Sequence, residues 1–372
     1  MKIDSCFLQI SSSLEQRLGG PTFVVQGSSN RVGNLFRRHR LLVFGNVDIG
    51  VEAELLNIPT LGGNRFGLPI WIKLREVKEF IRTSNYILIH GFYVFSTLLA
   101  ISLSNSRTLF LMPHGSMEPH QEKNSRLRKF IFRIFFRLLT IRKNIVFMVA
   151  SRREIYGVQK LFPSKKVELA GYGVSFPTKE VEFRKVPEKD DFVIGYLGRI
   201  HPIKRLDLAI KCLPVLAQMD LGVRLRVAGA GSSLLLMDLK KLSSDLGVSD
   251  KIDFLGSVKE DSKEQFFKEI DLLVLLSDNE NFAVVVAEAI VRGIPVIVRS
   301  TVAMSDFVTD WNTGVVVASE DPSEISAAIE IVIGNYRHYS AQCLSHRNRL
   351  SWSQVAKEWE LIMSSHLEGH EK

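Results

Sequence analysis

Asp271 to Ser300 reads DLLVLLSDNENFAVVVAEAIVRGIPVIVRS, and its pattern sets the fold class. DLLVLLS is an apolar run of strand length, DNEN a polar turn, Ala283 to Arg292 a helix, and IPVIV a second apolar run. Two such runs around one helix predict a parallel β-α-β unit, because a sheet covered on both faces shows no alternation of apolar and polar residues. Gly293 suits the helix end and Pro295 the return to extended chain. Two carboxylates stand out: Glu280 in the turn and Glu288 eight positions later in the helix. They lie at most roughly 12 Å apart along a helix, about the span from ribose to hexose in a nucleotide-diphosphate sugar. The helix start between them would offer free N–H groups to phosphates. By spacing alone the plainer reading leads: Glu280 a solvated turn acid near a helix start, where acids are favoured anyway, and Glu288 an exposed helix residue.

The 372 residues suggest two domains with ample core. Cys6, Cys212 and Cys343 have neither the pairing number of a disulfide framework nor metal-ligand spacing, which favours a reducing, cytoplasmic setting. MKIDSCFLQISSS at the start lacks a long apolar segment and reads as a first strand, not a signal peptide. No run of 18 apolar residues occurs, so no spanning helix is expected. Charge is unevenly placed. Residues 1–188 hold 28 Lys and Arg against 14 Asp and Glu, and the remainder 20 against 26, within a net charge of +8. A basic half joined to an acidic half points to two domains with different partners.

The words around the two acids add more. ENFAVVVAEAIVRGIPVIV resembles the segment that marks retaining glycosyltransferases of family 4: Glu, seven residues, Glu, then Ala, Gly and Pro-Val. The resemblance implies that Glu280 holds sugar hydroxyls and steadies a cationic ring, that Glu288 binds the ribose, and that Asn281, Phe282, Ala283 and Val284 line the donor. The family usually carries Gly where this chain has Ala283, a place where the backbone approaches the donor sugar.

Other stretches carry the same resemblance. Gly19 and Gly20 sit at a strand-to-helix turn ahead of the strand Leu41 to Phe44. The spacing fits a plain tight turn, and the resemblance places the pair at the donor phosphates. YILIH (86–90) and TLFLM (108–112) read as buried strands, each ending in a histidine turn, HGFY at His90 and PHGSMEPH at 113–120. The carboxyl ends of such strands are where open α/β sheets bind ligands. The paired turns look like the family's, which implies His114 at the donor sugar or its phosphate and His90 on the acceptor side. In FVIGYLGRIHPIKRLDLAIKCL, Arg199 and Lys204 would flank a helix start, two cations beside free N–H groups. The resemblance makes them diphosphate ligands, with Arg205 where the family usually has Gly. KIDFLGSV resembles the base-contacting loop, with Val258 nearest the nucleobase. AGYGV stands where the family has Asn-Gly, and SW at Ser351 to Trp352 resembles the start of its final helix.

RLRKFIFRIFFRLLTIRK carries seven cations from Arg126 to Lys143 and no acid, with Phe and aliphatic residues between. A basic amphipathic helix of this kind suits an anionic membrane surface; a core-packed helix with a solvated basic face is an equal reading. No nucleic-acid motif accompanies the charge. The expected fold is α/β, two Rossmann-like domains facing each other across a cleft (GT-B): an acceptor-side domain over 1–188, a nucleotide-sugar domain over 189–350 entered through a linker at 181–191, and a helix from 351 to 372 crossing back to the first domain. The implied activity is metal-independent, retaining hexosyl transfer from a nucleotide-diphosphate sugar to a glycan or lipid-linked acceptor, as in cell-surface polysaccharide or glycolipid synthesis, with no cofactor and no Asp-x-Asp motif in a fitting turn. The implied location is cytoplasmic or peripheral on the inner membrane face. An epimerase or phosphorylase of the same architecture, and a non-catalytic partner of a transferase, are the alternatives.

Overall fold

The computed structural model describes residues 3–15, 19–61, 68–69, 73–105, 108–118, 125–177, 192–258 and 260–368. The chain forms two compact units, Met1–Gly173 with Ser351–Lys372, and Val174–Leu350. The expected linker at 181–191, and Pro119 and His120 of the second histidine turn, lie outside the described residues.

The first unit alternates strands and helices: β1 (Ile3–Ser11), α1 (Gly20–Arg31), β2 (Phe36–Phe44), β3 (Glu54–Ile58), the short β4 (Thr60–Leu61) and β5 (Leu68–Pro69), α2 (Leu74–Arg82), β6 (Tyr86–His90), α3 (Phe95–Leu103), β7 (Thr108–Met112), α4 (Arg126–Leu139), β8 (Asn144–Val149), α5 (Arg152–Leu161) and β9 (Lys166–Leu169). The main sheet has the order β3-β2-β1-β6-β7-β8-β9, and its pairings are parallel. The continuous apolar runs of β6, β7 and β8 are buried, as strands covered on both faces must be. β2 begins five residues earlier than its apolar pattern predicts. Its first half, FRRHR, is largely exposed or half-buried, and Arg37 and Arg40 pair there with Asp4 and Glu54. Backbone pairing with β1, not burial, makes that half a strand.

The second unit contains β10 (Phe192–Leu197), α6 (Leu206–Gln218), β11 (Val223–Ala228), α7 (Ser233–Asp245), β12 (Ile252–Gly256), α8 (Glu260–Lys268), β13 (Leu272–Leu275), α9 (Val284–Ile290), β14 (Val296–Arg299), α10 (Ser305–Trp311), β15 (Gly314–Val317), α11 (Pro322–Gly334) and α12 (Tyr336–His346). Its strands run β12-β11-β10-β13-β14-β15, again parallel. Leu206, Ile210 and Leu213 of α6 join Ile325, Ile329 and Val332 of α11 in one core cluster with strand residues. On Gly195 an added Cβ would strike Ile270 and Phe266. The bare glycine lets that layer rest directly on β10.

The last helix, α13 (Trp352–Glu368), packs on the first unit. Trp359 is fully buried and its indole N–H donates to the Gly171 carbonyl at 3.0 Å. The Trp352 ring occupies the space that a side chain at Gly27 or Gly173 would need.

Candidate active site

The second sheet reverses its order between β10 and β13. Strands 10, 11 and 12 run outward one way and 13, 14 and 15 the other, and the crevice at the carboxyl ends of such a pair is the general ligand site of open α/β sheets. The loops leaving these two strands carry Arg199 and Lys204 on one side and Glu280 on the other. Lys204 forms an ion pair with Glu280, with side chains only 18% and 16% exposed. The loops are tied by backbone as well: the Asp278 N–H donates to the Ile203 carbonyl at 2.8 Å. Ser277 donates its hydroxyl to Glu280 at 3.2 Å. Beneath them the Tyr196 hydroxyl donates to the Arg199 carbonyl at 3.0 Å. Burial pushes the Tyr196 phenol well above its ordinary pKa, with the Glu280 charge adding to it, and Arg199 acts the other way. The Arg199 side chain is exposed.

Glu280 is therefore not a solvated turn acid, nor is Glu288 an exposed helix residue. Glu288 is 12% exposed and pairs with Lys263 of α8, while Arg292 donates to its backbone carbonyl at 2.7 Å. Each acid of the pair thus has its own lysine. Lys263 escapes sequence reading because only packing of α8 beside α9 brings it there. α9 is shorter than its pattern predicts, Val284–Ile290 instead of 283–292. Phe282 and Ala283 are buried, Asn281, Val284 and Val258 half-buried.

The first sheet has its own reversal, between β1 and β6. Gly19, at φ +72°, caps α1 with Gly20 as its first residue, so the pair forms the strand-to-helix turn that its position predicts. In the same unit a partly buried chain of hydrogen bonds runs from Glu52 to Tyr172, and the Glu52 carbonyl at one end sets its directions. The Glu52 carbonyl can only accept, so His39 donates from Nδ1 (3.1 Å) and accepts at Nε2 from the Gln9 amide nitrogen (3.2 Å). The Gln9 oxygen then accepts from His90 Nε2 (2.8 Å). His90 Nδ1 accepts from His114 Nε2 (2.9 Å), and His114 Nδ1 accepts from the Tyr172 hydroxyl (2.9 Å). Each imidazole is neutral with a defined tautomer. Burial lowers His90 well below the ordinary value of 6.5, helped by His114, lowers His114 to about 3, and also lowers His39. His90 is only 3% exposed, so it holds His114 and presents no nitrogen outward. Gln9 could have been suspected from sequence as the polar residue inside an apolar strand.

His114 sits at φ +53°, in a turn that Glu154 gathers from below. The Glu154 carboxyl accepts from the Gly115 N–H at 2.5 Å and the Ala150 N–H at 3.4 Å. Burial, with Glu118 nearby, raises it to about 8 against the pull of those bonds.

The glycosyl transferases group 1 family model matches residues 178–350, the segment that carries Arg199, Lys204, Glu280 and Glu288. Residues 178–350 are thus similar to group 1 glycosyl transferases. A D-inositol 3-phosphate glycosyltransferase of Geodermatophilus obscurus is 31% identical over 174 residues, 45% of this chain and 39% of that protein. One of Nocardia farcinica is 28% identical over 173 residues, 44% and 38%. The chain thus spans about two fifths of the length of these curated relatives. Over nearly its whole length it resembles solved structures: WaaG, a glycosyltransferase involved in lipopolysaccharide biosynthesis, with TM-score 0.69 at 14% identity, covering 96% of this chain and 99% of that one, and Anabaena Alr3699/HepE in complex with UDP, with TM-score 0.73 at 15% identity, covering 98% and 100%. The fold is of the GT-B class, two parallel-sheet α/β units.

Within residues 178–350 both departures from the family pattern have one structural explanation. Ala283 (φ +59°) and Arg205 (φ +50°) each occupy the left-handed region where glycine is unstrained. The backbone turn is kept and a side chain is added. In each case left-handed backbone costs a residue with a Cβ about 1–2 kcal/mol.

Outside that segment, α4 packs one face into the core and leaves the other exposed. Phe132 and Phe136 are buried in an aromatic cluster with Phe92 and Phe162. The opposite face leaves Leu127, Phe130, Ile131, Ile134, Phe135 and Leu138 exposed, followed by Ile141 at 75%. The helix ends at Leu139, so Arg142 and Lys143 lie in the turn before β8. No helix among the described residues is long and apolar enough to cross a membrane, and among them no His, Cys, Asp and Glu cluster could hold a metal ion.

Proposed function

We propose that this chain is a retaining hexosyltransferase that moves a sugar from a nucleotide-diphosphate donor to an acceptor hydroxyl. The observation that carries the reading is the meeting of Lys204 and Glu280 at the reversal point of a sheet that matches group 1 glycosyl transferases. As the glycosidic bond breaks, negative charge gathers on the departing diphosphate. Lys204 and the exposed Arg199 meet that charge, and fixed cations in a partly dehydrated crevice do so with little reorganisation. Lys204 then exchanges its carboxylate partner for phosphate oxygens, and Glu280 is released to hold sugar hydroxyls and to face the positive charge that develops on the ring. Glu288, already held by Lys263, suits the ribose, with Val258 nearest the base. Charge neutralisation by these side chains makes a metal-independent reaction our reading.

The first unit supplies the acceptor side in this proposal. By the family resemblance, His114, its ring held by Tyr172 and His90, and the Gly19-Gly20 turn are the first-unit residues expected to serve the donor. The exposed apolar and cationic face of α4 would seat the protein on an anionic membrane where a lipid-linked acceptor resides: contiguous apolar exposure of this kind marks interaction surfaces, and flanking arginines complement anionic headgroups. A peripheral, cytoplasmic-face location follows.

UDP, glucose and UDP-glucose are bound by HepE in its structures, which makes uridine-diphosphate hexoses the first donors to try. A thermal-shift screen over UDP-, GDP- and ADP-hexoses, followed by turnover with and without EDTA, tests the reading. A stabilising nucleotide sugar with EDTA-insensitive, acceptor-dependent release of nucleotide supports it. Release of free sugar without acceptor would indicate an epimerase-like reaction, and binding with no turnover would indicate a non-catalytic partner.

A further inference from the structure

We propose that Arg205 is a positioning residue of the site, closing a ring of alternating charges that ties the carboxyl ends of four adjacent strands and holds the Glu280 loop against Lys204. The ring has four members. Arg205 Nη1 contacts Glu320 Oε2 at 2.7 Å and Asp278 Oδ1 at 3.3 Å. Arg299 returns to the same two acids, pairing with Asp278 through Nη1 and with Glu320 through Nη2 at 2.9 Å. Arg205 follows β10, Asp278 follows β13, Arg299 ends β14 and Glu320 follows β15. These strands are consecutive in the sheet.

Asp207 fixes the Arg205 fork from the other side, accepting from Nε at 3.1 Å and Nη2 at 3.4 Å, and is itself held by Lys211 at 3.1 Å. The placement bears on the site because Arg205 adjoins Lys204 and Asp278 lies two residues before Glu280. Isolated surface ion pairs contribute little. Here each acid is shared by two arginines, one of them buried (Arg299, 6% exposed), so ordering one side chain orders its neighbours. The ring sits on the rim of the sheet, above an apolar cluster that already holds the strands together. Its effect therefore falls on the loops. A glycine at 205 would relieve the left-handed backbone, so the arginine is there at a conformational cost that a loop connection alone does not require.

The proposal deepens the functional reading but is tested separately from it. Arg205→Gly keeps the turn without strain, so the variant folds. In the ligand-free full chain, amide exchange over 277–283 is expected to accelerate about tenfold while β10 and β13 amides stay protected. Glu320→Gln added to Arg205→Gly should give no further acceleration, and Arg205→Lys, which keeps the charge without the fork, should restore part of the protection. With whichever nucleotide sugar the donor screen identifies, kcat is expected to drop about tenfold with KM little changed, because Arg205 orients the groups that act in the transition state. Unchanged exchange in Arg205→Gly overturns the proposal, as does loss of protection across the whole second unit, which would make the ring merely structural. If no sugar nucleotide is turned over, the functional reading fails while the exchange result still decides the role of Arg205.

Discussion

Lys204 and Glu280, 76 positions apart in the chain, form an ion pair where the second sheet reverses its strand order. Both side chains are more than four-fifths covered, so little water competes for the pair. Under the proposed function, an anion offered to Lys204 would free Glu280 and so couple leaving-group binding to the release of the acid.

Glu280→Gln keeps the shape and the Ser277 contact but removes the charge. Transfer should fall roughly 10²-fold or more in kcat, the scale of losing one preorganised electrostatic group, while nucleotide diphosphate binding is retained, since Lys204 is released from its carboxylate. Calorimetry with the nucleotide beside steady-state kinetics checks both halves. Intact turnover removes Glu280 from the mechanism.

Replacing Arg133, Arg137 and Arg142 with Glu should detach the protein from vesicles containing anionic lipid, each reversal exceeding the loss of roughly 1 kcal/mol per basic residue near such a surface. Phe130→Ser with Phe135→Ser should weaken the same binding without altering its salt dependence. Sedimentation with vesicles at two ionic strengths reads both variants, and unchanged sedimentation dismisses the membrane reading.

Gly157→Ala sets two effects against each other. Alanine favours a helix interior over glycine by about 0.5–1 kcal/mol, yet a Cβ at 157 would overlap the Met117 carbonyl oxygen, which belongs to the turn that carries His114. Overpacking against backbone costs about 1–3 kcal/mol, so the net is destabilising. Denaturant unfolding should show a lower midpoint, and a neutral or raised midpoint would mean that the turn can withdraw freely.

First-unit stability depends on pH through three histidines and Glu154. His39, His90 and His114 are lowered from 6.5 in the folded state, His114 to about 3. Below pH 6.5 the unfolded chain takes up protons that the folded chain refuses, so their contribution is lost as pH falls. Glu154 is raised to about 8 from 4.5. It is protonated in the fold and ionised in the unfolded chain between those values, so its contribution is lost as pH rises through that window. From these four groups stability should peak near pH 6.5, and Glu154→Gln should flatten the alkaline side. Thermal melts from pH 5 to 8.5 test it. An unchanged alkaline side in the variant would show that Glu154 ionises in the fold.

Much of the site was legible because its parts are local. Lys204 and Arg199 lie in the turn after one strand and Glu280 in the turn after another, and strand-turn-helix patterns can be read from apolar runs and glycines. The partners that set their charge state were not legible. Lys263 lies on another helix, Gln9 and Tyr172 reach the histidines from far along the chain, and Arg299 and Glu320 meet Arg205 only through strand order. Burial also leaves no local mark: both His90 nitrogens are taken up by His114 and Gln9.

The alternation of strand and helix, the parallel sheets that follow from it, and the turns that bear charge are all readable from local sequence, because they depend on propensity and on apolar spacing over a few residues. Long-range packing sets which carboxylate meets which cation, which imidazole nitrogen holds a proton, and which side of α4 is exposed. Those outcomes depend on distances between residues far apart in the chain, and on water excluded by packing, neither of which has a local signature.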